Sequence, residues 1–472
     1  MGGFEVTKMR HSFRATATRF FAAAVLGAGV LYALSGNDTA QAYSGAQAEA
    51  QSDPRSADPY SFPNIDLCCK KAKKKKKPYR RGGRRGGGGY GDGPYNGGNG
   101  GGYGDDDYGD YDDSDNSHRG GRAVRVSCGA PQRYSYSSIG EALQHVREGG
   151  RIVVRPGAPC DVSGLTIDQG ITIESDDYEY GGRADLRGNG ECVTISPSYA
   201  SSVVSFRGVD IDGCLTLQNG RLDFKEVNLA SRGSDDAVRI NGGTFSSTDS
   251  TIRARGTAIN AKRGVMVSLT GGGFASSARA THVIRLEVDG ANLQNTMIKG
   301  GLTGVYVGMQ GRYPVTFSRV QVVRGEVSEI YQIGPGKAGI VIGGSAPGDD
   351  LPSLPNLPGT SVSIDGGVVA GYVDGVVFSS GVRGAAKGVN IVHPGRGIVV
   401  EAGAAVDLRE NKITHAKRNG IYLARGASGS ASFNDIQCDD GHCVCYDDEC
   451  TSRSDREFGR GAFRMSGTRC DD

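Results

Sequence analysis

The chain has no tryptophan, and its charge nearly cancels. Fifty-four lysines and arginines face 52 aspartates and glutamates among 472 residues, for a formal net charge of +2. That balance removes the case for wholesale nucleic-acid or membrane binding by the chain as a whole. A long apolar run is missing too: Phe20 to Leu34, FFAAAVLGAGVLYAL, has 15 residues, against the roughly 20 needed to span a bilayer. From residue 151 onward there is no helical periodicity. No Ser-His-Asp or Cys-His arrangement can be placed for nucleophilic catalysis, and no lipobox precedes Cys68.

What the N-terminal region does contain is an export signature. Lys8, Arg10, Arg14 and Arg19 precede the apolar run, and Ala40-Gln41-Ala42 follows it as an A-x-A cleavage pattern. Residues 1–42 are therefore expected to be a secretory signal peptide, leaving a mature chain without a transmembrane span in a periplasmic, cell-surface or extracellular setting. Eleven cysteines fit such an oxidising compartment, and the odd number leaves at least one outside intramolecular pairs.

Residues 43–121 lack apolar periodicity and read as a disordered Gly/Tyr-rich linker. A basic block runs from Lys70 to Arg85, and an acidic block spans residues 105–115. The basic block offers a surface for an anionic envelope polymer or lipid. Its arginine-glycine run also resembles RNA-binding segments, but an exported chain makes a nucleic-acid partner the lesser reading. Cys68 and Cys69 are expected to form intermolecular disulfides.

From residue 122 the chain becomes periodic. Ser138-Ile139-Gly140-Glu141 fits a capping box, with Ile139, Ala142, Leu143 and Val146 on one helical face. Such a helix would cover the open end of a repeat structure. Beyond it, a small residue followed by a branched apolar one recurs, as at Gly397-Ile398 and Gly420-Ile421. The steps between these anchors from Ile171 to Val444 are 22, 22, 23, 21, 25, 21, 35, 36, 22, 23 and 23. Several short strands per period and no helix between them indicate a parallel β-helix.

The order of helix, IVVRPG, GLTIDQGITIES and repeated G-(I/V)-x-(I/V/L) coils resembles the right-handed parallel β-helix proteins of the pectin-lyase-like superfamily. The resemblance covers residues 135–450 and implies an all-β solenoid of about 12 coils over 122–437, with a short N-terminal capping helix. Residues 438–472 would then form a Cys-rich last coil and C-terminal cap.

In such a coil the first and third residues of each anchor strand face the core, and the second faces outward. The outward column reads Thr172, Thr194, Thr216, Arg239, Asn260, Arg285, Tyr306, Val341, Val377, Val399, Tyr422 and Cys445. Arg239, Asn260, Arg285 and Tyr306 form a cationic and aromatic row of about 15 Å at the spacing of stacked strands. Asn241, Lys262 and Glu287 lie beside it. Guanidinium groups bind carboxylates in bidentate fashion, and Tyr306 offers a face to a sugar ring, so an anionic polysaccharide is the expected ligand. The two lengthened steps follow directly. Their extra segments, with Arg312, Tyr313, Arg324 and Tyr331 in the first and the proline-rich 347–359 in the second, are expected to wall the row.

Other positions read as structural. Asn228, Asn411 and Asn434, each 13 residues after an anchor, and Asn390, 14 after its own, suggest an amide ladder at a turn. Cys192 and Cys214 share a phase and should be disulfide-bonded neighbours, while Cys128 and Cys160 would tie the lid to the first coil. Cys438, Cys443, Cys445, Cys450 and Cys470 with His442 suit disulfides better than a metal, since their spacing lacks paired C-x-x-C.

Enzymes of the resembled superfamily use either a basic residue with a carboxylate neutraliser, often calcium, or paired carboxylates that activate water. Lys262, Arg239 and Arg285 are candidate bases, but no acidic cluster is evident beside them. Ser234-Asp235-Asp236-Ala237-Val238 resembles the G-D-D-C-I element of polygalacturonases at the matching phase, whereas that family's N-T-D, G-H-G and R-I-K are missing. Asp235 and Asp236 therefore read first as a polar turn. No cofactor is expected, and calcium enters only if the chain is a lyase. Three functions remain: an exported solenoid that binds, or binds and processes, an anionic polysaccharide, a structural or adhesive envelope protein, or a lyase or glycoside hydrolase.

Overall fold

The computed structural model describes residues 123–471, apart from 130–131, 133, 178–180, 234–235, 263–264, 309–312, 326–334, 344–360, 440, 448, 452–455 and 460–461. The expectations for the signal peptide, the linker with its basic block and Cys68-Cys69, Asp235, Arg312, Tyr331 and 347–359 lie outside the described residues.

One coil shows how the sequence builds the rest. Val238–Ile240 belongs to a first sheet, Gly243–Thr248 to a second and Thr251–Ala254 to a third, and the chain then returns to the first at Ile259–Ala261. Each strand pairs in parallel with its counterpart one coil on, Val238 with Ile259, Phe245 with Val267 and Ile252 with Phe274. Strands this short cannot bury a face alone. Stacked, their alternate residues make one continuous core in which Val238, Ile240, Phe245 and Ile252 are all fully buried.

In the first sheet, Thr166, Thr194, Thr216, Arg239, Asn260, Arg285, Tyr306, Val341, Val377, Val399, Tyr422 and Cys445 occupy successive rungs. The chain is thus an all-β solenoid of about 11 turns, and the expected register holds from Val193 to Val444. At the start it does not. Ile171–Ser175 belongs to the second sheet, where Thr172 sits between Arg151 and Ser205, and the partner beneath Thr194 is Thr166. Both lengthened steps keep register, Val305 with Ile340 and Ile340 with Val376.

A two-residue corner joins the second and third sheets. Its first residue is left-handed even where it is not glycine: Glu226, Asp249, Asn295, Arg319, Glu410 and Phe433 have φ between 49° and 54°. Its second points into the core, as Val227, Ser250, Thr296, Val320, Val389, Asn411, Asn434 and Thr468, all buried. Among the described residues the amide ladder is therefore Asn411 and Asn434. Asn411 Nδ2 donates to Asn434 Oδ1 at 2.9 Å and to Ala386 O at 2.9 Å, and Asn411 Oδ1 accepts from Val389 N at 3.1 Å. Asn228 and Asn390 sit one position later on the strand, and Asn228 bonds the Asp210 carboxylate at the surface instead.

Close packing where the chain returns to the first sheet explains the glycine before the anchors Val305, Ile340, Val376, Ile398 and Ile421. A Cβ on Gly397 would stand 2.4 Å from Gly420 O and 2.7 Å from Ile413 Cγ2. Space, not a positive φ, excludes a side chain there.

Both ends are closed. Helix Ile139–Leu143 starts at Ser138, whose hydroxyl accepts from Glu141 N at 3.1 Å. The Glu141 carboxylate reaches back one residue further than a capping box requires, accepting from Ser137 N at 3.0 Å. Disulfides join Cys128 to Cys160 and Cys192 to Cys214, with Cα separations of 5.2 and 4.5 Å. A third, Cys445–Cys450, clips an antiparallel hairpin onto the last coil. Among the described residues no helix is long and apolar enough to cross a membrane.

Candidate functional site

The outer face of the first sheet carries Arg239, Asn260, Arg285 and Tyr306 on consecutive rungs, as the period predicts. Each of the first three is held by a neighbour. Asp236, in the turn before Arg239, accepts from Asn260 Nδ2 at 2.7 Å and from Thr257 N at 3.3 Å. It also stands 3.7 Å from Arg239 Nε. One rung on, Glu287 Oε1 accepts from Arg285 Nε at 3.1 Å. Asn241 Nδ2 donates to Gln218 Oε1 at 3.1 Å, and Lys262 lies exposed at the strand's end.

Asp236 therefore joins Glu287, which the period already put beside the row, as an acidic partner of its cations. Asp236 is more than a polar turn, because it orients two of the row's side chains while its own is only 17% exposed. Glu287 likewise holds Arg285. Of the basic candidates, only Lys262 shows no such partner among the described residues.

Tyr306 differs from expectation more sharply. It is 4% exposed, with the His282 ring 5.5 Å away and the Arg285 guanidinium 6.0 Å from its centroid. It packs with Ala338, Val341, Val377 and Val399 into a separate apolar cluster on the outer face. It cannot offer a face to a sugar, and the polar row ends at Arg285. Arg324, expected in a wall beside the row, is buried and donates to Gly301 O. Its guanidinium pKa is lowered by burial.

Thr216, on the rung before Arg239, is buried too, so the usable row runs from Arg239 to Arg285, two steps or about 10 Å. Arg239 and Arg285 stand on alternate rungs, about 10 Å apart along the stack, with Asn260 between them. Their side chains are 38% and 22% exposed. With Lys262 there are three cations against two carboxylates among the described residues, so the surface keeps a positive excess with fixed donor directions. Calcium fits these residues poorly. Asp236 and Glu287 are both engaged by guanidinium groups, and among the described residues no group of three or more His, Cys, Asp or Glu is arranged to hold a metal.

Sequence reasoning missed a second cluster on the same sheet. Arg396 donates to both oxygens of Asp374, at 2.7 and 2.8 Å, and lies 5.4 Å from the centroid of Tyr422. Hydrogen bonding to Asp374 raises the guanidinium pKa above its ordinary value. The signal was available, since Asp374-Gly375-Val376, Arg396-Gly397-Ile398 and Asn419-Gly420-Ile421 repeat one phase.

No protein-family model matches the chain, and no curated protein matches its sequence. Among solved structures, the A-module of the mannuronan C-5 epimerase from Azotobacter vinelandii is similar over 68% of this chain and 89% of that one, at 12% identity and a TM-score of 0.31. A likeness at that score decides nothing about substrate or chemistry.

Proposed function

We propose that this is an exported solenoid that binds an extended, carboxylate-bearing polysaccharide along the first sheet between Arg239 and Arg285. Arg239 and Arg285 meet carboxylates on alternate rungs, Asn260 bonds hydroxyls between them, and Lys262 adds charge at the edge. One observation carries the reading: both arginines face outward in register, each oriented by its own carboxylate, Asp236 or Glu287. Groups fixed before the ligand arrives lose less freedom on binding. The basic block at 70–85 supplies a second contact to anionic envelope material, and the disulfides suit an oxidising compartment.

The reading is one of binding. Titration of the full chain with a polyuronate panel should give saturable binding, weakened at least about tenfold in an Arg239→Ala, Arg285→Ala variant. Unchanged affinity in that variant would refute it, and absence of binding to every panel member would leave a structural envelope role. New absorbance at the unsaturated-uronate band, or new reducing ends, would add lyase or hydrolase chemistry to the same site.

A further inference from the structure

The second sheet presents a different surface. Ser246, Ser268, Asn292 and Thr316 occupy successive rungs of one outer row, and Thr248, Thr270, Gln294 and Ser318 occupy the row beside it. Rungs lie about 4.8 Å apart and the rows about 6.7 Å apart, so the eight side chains tile roughly 14 by 7 Å. None is charged, and the row through Thr316 continues uncharged to Ser363, whereas charge borders the window elsewhere. Asp223 and Lys225 precede the window, and Asp365 and then Lys387 follow it.

At one edge lies Tyr313, 54% exposed. The neighbouring strand yields to it: a Cβ on Gly290 would stand 2.7 Å from Tyr313 Cβ and 3.0 Å from the end of Met266. An exposed tyrosine beside a flat hydroxyl and amide array is what the chain offers here in place of the buried Tyr306.

We infer that this face binds an uncharged, extended polysaccharide. Hydroxyls and carboxamides both donate and accept, as sugar hydroxyls do, whereas carboxylates only accept and cationic side chains only donate. A neutral array therefore matches a neutral glycan rung by rung and gives a polyanion nothing to neutralise. Part of the array is already ordered, since Thr316 Oγ1 donates to Asn292 Oδ1 at 2.9 Å. Tyr313 supplies the ring face on which a sugar stacks. A protein partner would want an apolar centre, and the exposed apolar groups here, Met266 and Tyr313, lie at the edge.

The test mixes the full chain with insoluble β-1,4-glucan, mannan or chitin in high salt. Expected is retention on at least one of them that salt does not remove, weakened roughly tenfold or more by Tyr313→Ala and by Ser268→Arg. The Arg239→Ala, Arg285→Ala variant should be retained as wild type, which separates this surface from the first-sheet site. No retention on any of the three, or retention unchanged in both second-sheet variants, overturns the inference. So does self-association of the chain that Ser268→Arg abolishes, which would assign the face to a second copy.

Discussion

Asn411→Ala should be among the most damaging single substitutions in the solenoid, although it removes only a small polar side chain. The Asn411 amide satisfies two buried backbone groups, Val389 N at 3.1 Å and Ala386 O at 2.9 Å, and its Nδ2 also donates to Asn434 Oδ1 at 2.9 Å. An orphaned buried donor or acceptor costs about 1–3 kcal/mol. Two such groups give about 2–6 kcal/mol before any loss at Asn434 is counted. Asn228→Ala is the control. It also lies 13 residues after an anchor, but its amide bonds a surface carboxylate, and the loss should stay near 0.5 kcal/mol. Denaturant unfolding followed by far-UV circular dichroism measures both, and amide hydrogen exchange at Val389 localises the effect. Equal small losses in the two variants, with Val389 protection unchanged, would refute the ladder argument.

Other substitutions probe other joints. Gly397→Ala forces a Cβ to within 2.4 Å of a backbone oxygen, so it should cost at least the ~1–3 kcal/mol of overpacking, read as a lowered unfolding midpoint. Tyr372→Phe removes the donor to Gly300 O at 2.7 Å, and a loss of about 1–3 kcal/mol is expected in the same assay. The N-terminal cap should loosen in acid. Glu141 and Asp161 are held below their ordinary values of 4.5 and 3.8, Glu141 by hydrogen bonds from Ser137 and Asp161 by those from Ser163. Their stabilisation is therefore present above those values and is lost as pH falls through the lower folded ones. Lower protection of the 139–143 helix, relative to the intrinsic exchange rate at each pH, as pH drops below about 4.5, blunted in Glu141→Gln, would be the sign.

The fold was legible because burial imposes a period. Residues such as Ile259, Ile284 and Val305 must recur wherever the coil returns to the first sheet, and nothing else in the chain competes with that rhythm. It failed at Ile171 because the first coil is longer. Leu165-Thr166-Ile167 and Ile171-Thr172-Ile173 both alternate, and the second happens to lie 22 residues before Val193. The position of the candidate row was legible for the same reason as the fold, but its chemistry was only half so. Alternation tells which way a side chain points, not whether neighbours cover it. Three outward valines in succession, Val341, Val377 and Val399, did carry that information, and Tyr306 is buried with them. The part Asp236 plays in the row stayed hidden because its partner Asn260 lies 24 residues away in sequence, a coupling visible only once adjacent rungs are aligned.

The claim that matters most is that a carboxylate polymer lies across Arg239 and Arg285. Arginine-selective modification of the full chain by phenylglyoxal, with and without a bound polyuronate and read by peptide mass spectrometry, tests it at residue resolution. Protection of Arg239 and Arg285 together, with Arg409 on the second sheet modified equally in both samples, is the predicted result. Protection confined to other arginines, with Arg239 and Arg285 labelled as fast as in the unbound chain, would contradict it.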